Sequence, residues 1–164
     1  MRLASLLLLI VLLPGCGKSY PPADFSSAES ALLSIENAYR QKDRELILAC
    51  KDFYLEAKFV VPEKTGRSKE KLDLARKASA MLLEKQWIGY LDQGIPEWND
   101  VEVKITDIEE LTEDMVVVTE EIRPPGHDPI PSRLFVGRND AGEWKVLMDY
   151  SEEMADNWMK YYGK

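Results

Sequence analysis

The sequence predicts an α+β domain, because three observations along its 164 residues indicate helices followed by an antiparallel sheet. Apolar residues recur at helical spacing between residues 28 and 92, and they alternate with polar residues after residue 99. The segment Asn139-Asp140-Ala141-Gly142 is typical of a hairpin turn between two alternating stretches. We therefore expect three N-terminal helices on one face of a curved antiparallel sheet of about four strands, followed by a short C-terminal helix.

The helical half divides at polar breaks into three predicted helices. The first begins at Ser26-Ser27-Ala28-Glu29, which has the pattern of a capping box, and ends near Gln41. Asp43 is a suitable N-cap for the second helix, which ends before Pro62. The third helix is expected over residues 68–92. The side chains predicted to face the core include Ala31, Leu32, Ile35, Leu46, Ile47, Cys50, Phe53, Leu72, Met81 and Leu82.

Alternation of apolar and polar residues predicts four strands in the second half of the chain. We expect them over residues 101–106, 115–122, 133–137 and 144–150. Ser151 is a suitable N-cap for the short C-terminal helix. Cys50 is the one cysteine outside the N-terminal segment, so an internal disulfide framework is not expected, and Cys50 is predicted to be buried as a small apolar residue.

The N-terminal segment has the pattern of a secretory signal. Arg2 is followed by an apolar stretch over residues 3–13, which is too short for a helix that crosses a bilayer. The sequence Leu13-Pro14-Gly15-Cys16 resembles a bacterial lipobox, although Pro14 departs from the usual residue at its position. The resemblance implies a signal peptide over residues 1–15, a lipid such as palmitate on Cys16, and a tether over residues 16–25. The alternative is an ordinary Cys16 thiol in a soluble exported protein.

A lipid on Cys16 would attach the protein to the bacterial cell envelope. Two or more acyl chains give stable anchoring without any further membrane-binding surface. An Asp after the cysteine would resemble the retention signal of the inner membrane, whereas this chain has Gly17 and Lys18. We therefore expect the outer membrane, with the domain facing the periplasm.

The charge of the chain is negative and unevenly distributed. The sequence contains 21 basic and 29 acidic residues, which gives a formal net charge of −8. Residues 17–99 hold 13 of each sign, whereas residues 100–164 hold 7 basic and 16 acidic residues. A strongly negative second half argues against nucleic acid as a partner. It is compatible with a basic protein partner, or with solubility alone.

Three passages carry a resemblance to a known fold. Residues 31–43 (ALLSIENAYRQKD), 50–58 (CKDFYLEAK) and 143–147 (EWKVL) resemble the first helix, its continuation and the closing strand of the nuclear-transport-factor-2-like superfamily. That family has a cone-shaped α+β fold with a pocket between the sheet and the helices. The resemblance implies a single domain over residues 26–164. Residues 50–58 are most similar to family members that are immunity proteins, which neutralise toxins delivered by rival cells.

The resemblance and the negative second half favour a protein-binding module that neutralises a toxin. The alternative is a small-ligand carrier or envelope sensor that uses an aromatic pocket. We find no nucleophile–histidine–acid set, phosphate-binding loop or calcium-loop spacing, so neither an enzyme nor a cofactor is expected. His127 beside Asp128 does not supply the three or four ligands of a zinc site, and no metal is expected.

The candidate pocket or interface residues are aromatic and acidic side chains near the sheet and the end of the third helix. Glu120 and Glu121 are adjacent on a predicted strand, so one of the two is expected to face the helices. His127 lies in a proline-rich loop and would act as a base only at a pocket mouth. Aromatic residues at helical or strand spacing are more often core residues than ligand contacts, and they suit pockets and protein interfaces equally. The full set is Trp87, Tyr90, Trp98, Glu120, Glu121, His127, Trp144 and Tyr150.

Overall fold

The computed structural model describes residues 20–63 and 68–163 and confirms the predicted α+β class. The predicted signal peptide and Cys16 lie outside the described residues. A four-stranded antiparallel sheet follows four helices and precedes a C-terminal helix. The elements are α1 (Ala28–Gln41), α2 (Arg44–Ala49), α3 (Phe53–Val60), α4 (Lys69–Asp92), β1 (Glu102–Thr112), β2 (Met115–Arg123), β3 (Ile130–Arg138), β4 (Trp144–Asp149) and α5 (Glu152–Tyr162).

The second predicted helix is in fact two helices, α2 and α3, separated by residues 50–52. Asp52 adopts an extended backbone and its carboxylate accepts a hydrogen bond from the Leu55 amide at 2.8 Å, which starts α3 as a new helix. The break releases the Cys50 carbonyl from the helix, and this carbonyl accepts a hydrogen bond from the Val146 amide at 3.0 Å. The interruption therefore ties the helices to β4.

The chain before α1 also attaches to β4. The Trp144 amide donates to the Phe25 carbonyl at 2.9 Å, and the Asp24 amide donates to the Ser34 hydroxyl at 2.9 Å. The last residues of the predicted tether thus belong to the folded domain. The capping box of α1 is formed by Ser27 and Ser30, one residue later than the sequence pattern indicates.

The sheet is an antiparallel meander in the order β1-β2-β3-β4, as predicted. Register shifts interrupt the pairing of β1 with β2 between Ile105 and Asp107 and again between Glu110 and Thr112. The hairpin between β3 and β4 is confirmed. The Asn139 side chain accepts hydrogen bonds from two amides of the turn, and Gly142 has a φ of 81°, which glycine adopts without strain.

Helices cover both faces of the sheet, whereas the sequence predicts one covered face. Side chains of α1 pack on Val116 and Val118 of β2, together with the fully buried Cys50. Side chains of α3 and α5 pack on Met115 and Val117 of the same strand. Because neighbouring strand residues point to opposite sides, the two clusters lie on opposite faces.

The middle of α4 is exposed, so the predicted burial of Met81 and Leu82 is wrong. These side chains are 71% and 64% exposed, whereas Leu72 and Leu91 near the two ends of the helix are buried. With 24 residues, α4 is about 36 Å long and packs mainly along the much shorter α3. Neither α4 nor any other helix in the described part of the chain is apolar enough to cross a membrane.

Candidate functional site

A cavity of about 380 Å³ lies between the sheet and the helices. Its walls come from α1, α3, the end of α4 and strands β2, β3 and β4. Four of the candidate residues predicted from the sequence line it, namely Trp87, Tyr90, Trp98 and Glu120. This cavity, which we call the sheet–helix pocket, therefore brings together half of that set.

Two pairs of aromatic rings form one wall of the sheet–helix pocket. Tyr39 of α1 and Trp98 of the loop after α4 lie with ring centroids 5.5 Å apart. Trp87 and Tyr90 are three residues apart on α4, which places them on one helix face, and their ring centroids are also 5.5 Å apart. The wall is therefore apolar, with the polar edges of two indoles and two phenols.

Two buried glutamates contribute charge to the pocket. Glu120 of β2 points to the same side as Val116 and Val118, and it is only 4% exposed. Glu36 of α1 is 5% exposed, and its Oε2 atom accepts a hydrogen bond from Arg40 at 3.3 Å. Neither Glu36 Oε1 nor Glu120 Oε2 has a hydrogen-bond partner among the described residues.

The ionised forms of both glutamates are disfavoured. Burial is the main cause that raises the pKa of Glu120 to about 7, and the nearby charge of Glu36 adds to it. A hydrogen bond from Ser132, which lies opposite Glu120 on β3, acts in the other direction. Burial also raises the pKa of Glu36, although Arg40 opposes this shift. The pocket thus holds two carboxyl groups that the protein solvates poorly.

Lys51 is the basic residue that lines the sheet–helix pocket, and its charge is already compensated. Its Nζ atom lies 2.7 Å from Glu56 Oε1 and donates a hydrogen bond to the Leu147 carbonyl. Both side chains of this ion pair are almost fully buried. The Glu56 oxygen accepts no well-aligned hydrogen bond, but the short distance to Lys51 keeps its charge paired.

The indole groups of Trp87 and Trp98 leave two further polar atoms without partners. Both Nε1 atoms are buried and lack an acceptor within the described part of the chain. The face of the Trp87 ring, in contrast, is used, because Lys51 Nζ lies 4.4 Å from its centroid. Two unpaired hydrogen-bond donors and two unpaired carboxylate oxygens therefore belong to residues that line the pocket.

The other four candidate residues lie outside the sheet–helix pocket. Glu121 is exposed on the opposite side of β2 from Glu120, as the strand alternation requires. His127 is exposed in a turn closed by the hydrogen bond from its amide to the Pro124 carbonyl. Trp144 packs at the edge of the α1 cluster, and Tyr150 packs with the α5 cluster, under the Arg133 guanidinium.

Sequence reasoning missed Tyr39, Glu36, Lys51 and Glu56 as pocket residues. A signal for Glu36 exists, because Glu36 follows Leu32 by four residues on the buried face of α1, where a charge is unusual. Lys51 and Glu56 are positioned by the break between α2 and α3, which the continuous helical pattern conceals.

A larger cavity, of about 520 Å³, lies at the end of the sheet where the β1–β2 and β3–β4 turns meet α5. Two of its charged side chains form an ion pair, in which Arg138 Nη2 lies 2.6 Å from Asp114 Oδ1. Its one buried polar atom without a partner among the described residues is Trp158 Nε1. None of the candidates predicted from the sequence lines this cavity, so the sheet–helix pocket is the stronger candidate for a functional site.

The groups in the pocket are suited to binding a ligand. Within residues 20–63 and 68–163 we find no group of three or more His, Cys, Asp or Glu side chains placed to hold a metal ion. Burial raises the pKa of Cys50 to about 12, so its thiol is not an activated nucleophile.

Searches against protein-family models and against curated proteins found no match to this chain. The geometry of the site therefore carries the functional argument.

Replacing Glu120 with Gln should stabilise the protein at high pH. The folded-state pKa of Glu120 near 7 lies above the ordinary value of 4.5. Between these two pH values Glu120 keeps a proton in the folded state that it loses in the unfolded state. The free energy of unfolding should then fall as pH rises from about 4.5 to about 7. Glu120→Gln should be more stable than the parent at pH 8, by on the order of 1–2 kcal/mol, and similar at pH 4.

Chemical denaturation at several pH values measures this difference. The matched control is Glu121→Gln, which changes an exposed neighbour and should leave the pH dependence unaltered. If Glu120→Gln followed the parent curve at every pH, Glu120 would ionise in the folded state as it does in water.

Proposed function

We propose that this protein is an envelope lipoprotein that binds a small molecule in the sheet–helix pocket, as a carrier or sensor. The observation that carries the proposal is the set of buried polar atoms that lack protein partners: Glu36 Oε1, Glu120 Oε2, Trp87 Nε1 and Trp98 Nε1. All four belong to residues that line one cavity. A ligand that reaches these atoms would complete their hydrogen bonds.

The four unpaired polar atoms are energetically unfavourable for the protein. Most buried polar groups have partners, and each one left unsatisfied costs about 1–3 kcal/mol. A sequence selected for stability alone would place apolar residues at Glu36 and Glu120, because both lie on otherwise apolar faces. Exceptions of this kind are expected at functional sites. The volume of about 380 Å³ is also in the range of small-molecule sites.

The resemblance to the nuclear-transport-factor-2-like superfamily supports the same proposal. That resemblance implies a ligand pocket between sheet and helices, and the sheet–helix pocket lies in this position. We propose membership in that superfamily on the three resembling passages and on the α+β order of the elements. Fold alone does not select a function, so the side chains of the pocket decide between the alternatives.

A neutral apolar dye should bind in the sheet–helix pocket. We expect N-phenyl-1-naphthylamine to increase in fluorescence when it is added to the Cys16→Ser chain, which is purified without detergent. Ser132 lines the pocket, so Ser132→Trp should fill it and reduce dye binding about tenfold or more. Thr106→Trp adds the same side chain at an exposed position on β1 and should leave binding unchanged.

Circular dichroism of the three proteins shows whether each variant is folded. Dye binding that is equal in the Ser132→Trp variant and the Thr106→Trp control would contradict the proposed site. Absence of dye binding to the folded Cys16→Ser chain would contradict an accessible pocket.

The proposed lipid anchor has its own test. Metabolic labelling with radioactive palmitate should mark the parent chain in the producing bacterium and leave Cys16→Ser unlabelled, because the thiol of Cys16 is the proposed attachment point. Fractionation should place the parent in the outer membrane, and the Cys16→Ser variant should be depleted from that fraction. Equal labelling or equal membrane association of the two would contradict the anchor.

We propose protein binding, as in toxin neutralisation, as the second candidate function. The observation that favours it is the outer edge of the sheet, where β1 has no second strand partner among the described residues and is exposed over most of its length. An open edge strand is a template for strand addition by a partner. Glu102 and Glu109 are already in ion pairs with arginines, whereas Asp107 and Glu110 would suit a basic partner.

A secreted-toxin gene beside the gene for this chain would supply the partner for a direct test. The purified toxin should bind the parent chain, with an affinity that falls as salt increases. Glu110→Lys should weaken binding, whereas Glu29→Lys, an exposed acid on α1, should not. A toxin that bound both variants and the parent equally would exclude this edge as the interface.

A further inference from the structure

We infer that the ligand of the sheet–helix pocket is a protonated organic amine with an apolar, ring-containing body. The inference rests on the proposed small-ligand function and adds the chemical class of the ligand. It follows from the charge that lines the pocket, from the groups that already compensate that charge, and from the aromatic wall.

The charged residues that line the pocket are mostly acidic. Glu36, Glu56, Glu120 and Asp149 contribute four carboxyl groups, whereas Lys51 contributes one ammonium group. Such a concave site attracts cations and repels anions. A fatty acid or another carboxylate would have to bring its charge beside Glu36 and Glu120, which the same repulsion disfavours.

Two basic side chains near the pocket, Lys51 and Arg40, already form ion pairs and hydrogen bonds with other groups. The Lys51 ammonium lies against Glu56 and donates to the Leu147 carbonyl, so it does not pair with Glu120. Arg40 divides its hydrogen bonds between Glu36 Oε2, Asn37 Oδ1 and the Val101 carbonyl. One oxygen of each pocket glutamate, Glu36 Oε1 and Glu120 Oε2, is left without a donor from the described residues.

A protonated amine supplies what these oxygens lack. Its N–H groups donate hydrogen bonds to carboxylates, and hydrogen bonds to charged groups are stronger than neutral ones. A neutral apolar ligand would fill the cavity but leave Glu36 Oε1 and Glu120 Oε2 without donors. Glu120 is only 4% exposed and lines the pocket, so a ligand held there would lie next to this side chain.

The aromatic wall fits the remainder of such a ligand. Tyr39, Trp87, Tyr90 and Trp98 offer ring faces and edges to an apolar body, and aromatic faces also attract cations. The Nε1 atoms of Trp87 and Trp98 are donors that need an acceptor. A hydroxyl or carbonyl group on the ligand body would satisfy them.

A matched set of three probes tests the inference by displacement of N-phenyl-1-naphthylamine from the Cys16→Ser chain at pH 8. The probes are 2-phenylethylamine, its neutral counterpart 2-phenylethanol, and the anion 3-phenylpropionate. We expect the amine to displace the dye at an about tenfold lower concentration than the alcohol, since one charged hydrogen bond is worth about that factor. The carboxylate should be the weakest.

Two isosteric variants identify the groups that select the amine. Glu120→Gln and Glu36→Gln should each reduce the preference for amine over alcohol several-fold. The matched control, Glu121→Gln, should keep the full preference, because this side chain points away from the pocket. Direct titration calorimetry with the amine checks each result, and thermal melts confirm that each variant is folded.

The outcomes separate this inference from the proposed function. Equal displacement by the amine and the alcohol, or an unchanged preference in both pocket variants, would overturn the amine inference, while dye binding blocked by Ser132→Trp would leave the proposed pocket standing. If neither the dye nor any probe bound the folded chain, the proposed function itself would fail.

Discussion

The arrangement of the domain depends on the position that Lys51 takes at the break between α2 and α3. Its buried ammonium is paired with Glu56, donates to the Leu147 carbonyl of β4 and lies over the Trp87 ring of α4. One side chain thereby links three elements that meet around the sheet–helix pocket. Because these contacts hold the Lys51 ammonium group at Glu56 and Leu147, it does not pair with Glu120. The acidity of the pocket is thus a consequence of how the helices are fastened to the sheet.

The two edges of the sheet have different roles. The edge at β4 is covered, because its amides at Trp144 and Val146 donate to the carbonyls of Phe25 and Cys50. These bonds hold α1 and the residues between α2 and α3 over the sheet, where they form part of the wall of the sheet–helix pocket. The edge at β1 carries no such cover among the described residues and is rich in acidic side chains. Charges and register shifts at this edge oppose unwanted pairing between copies, as in other proteins with exposed edges.

Local patterns in the sequence predict most of the fold, because period and turn chemistry are local properties. The meander, its Asn139-Asp140-Ala141-Gly142 turn and the burial of Cys50 follow from such signals. The break at Asp52 does not follow from local signals, because the apolar stripe of the predicted helix continues through it. The contacts that favour the break come from β4. The alternation of β2 predicts that one of Glu120 and Glu121 faces inward. Tertiary contacts decide that it is Glu120, and they alone bring Glu36 beside it.

Among the described residues, the protein supplies no cation that stabilises the ionised form of Glu120. The most direct test is a carbon-13 NMR titration of the Glu120 side-chain carboxyl, with exposed Glu121 as the internal reference. A midpoint near pH 7 for Glu120 is the predicted result. A midpoint near the ordinary value of 4.5 would mean that a protein or solvent group already stabilises this carboxylate, and the account of the pocket would be wrong.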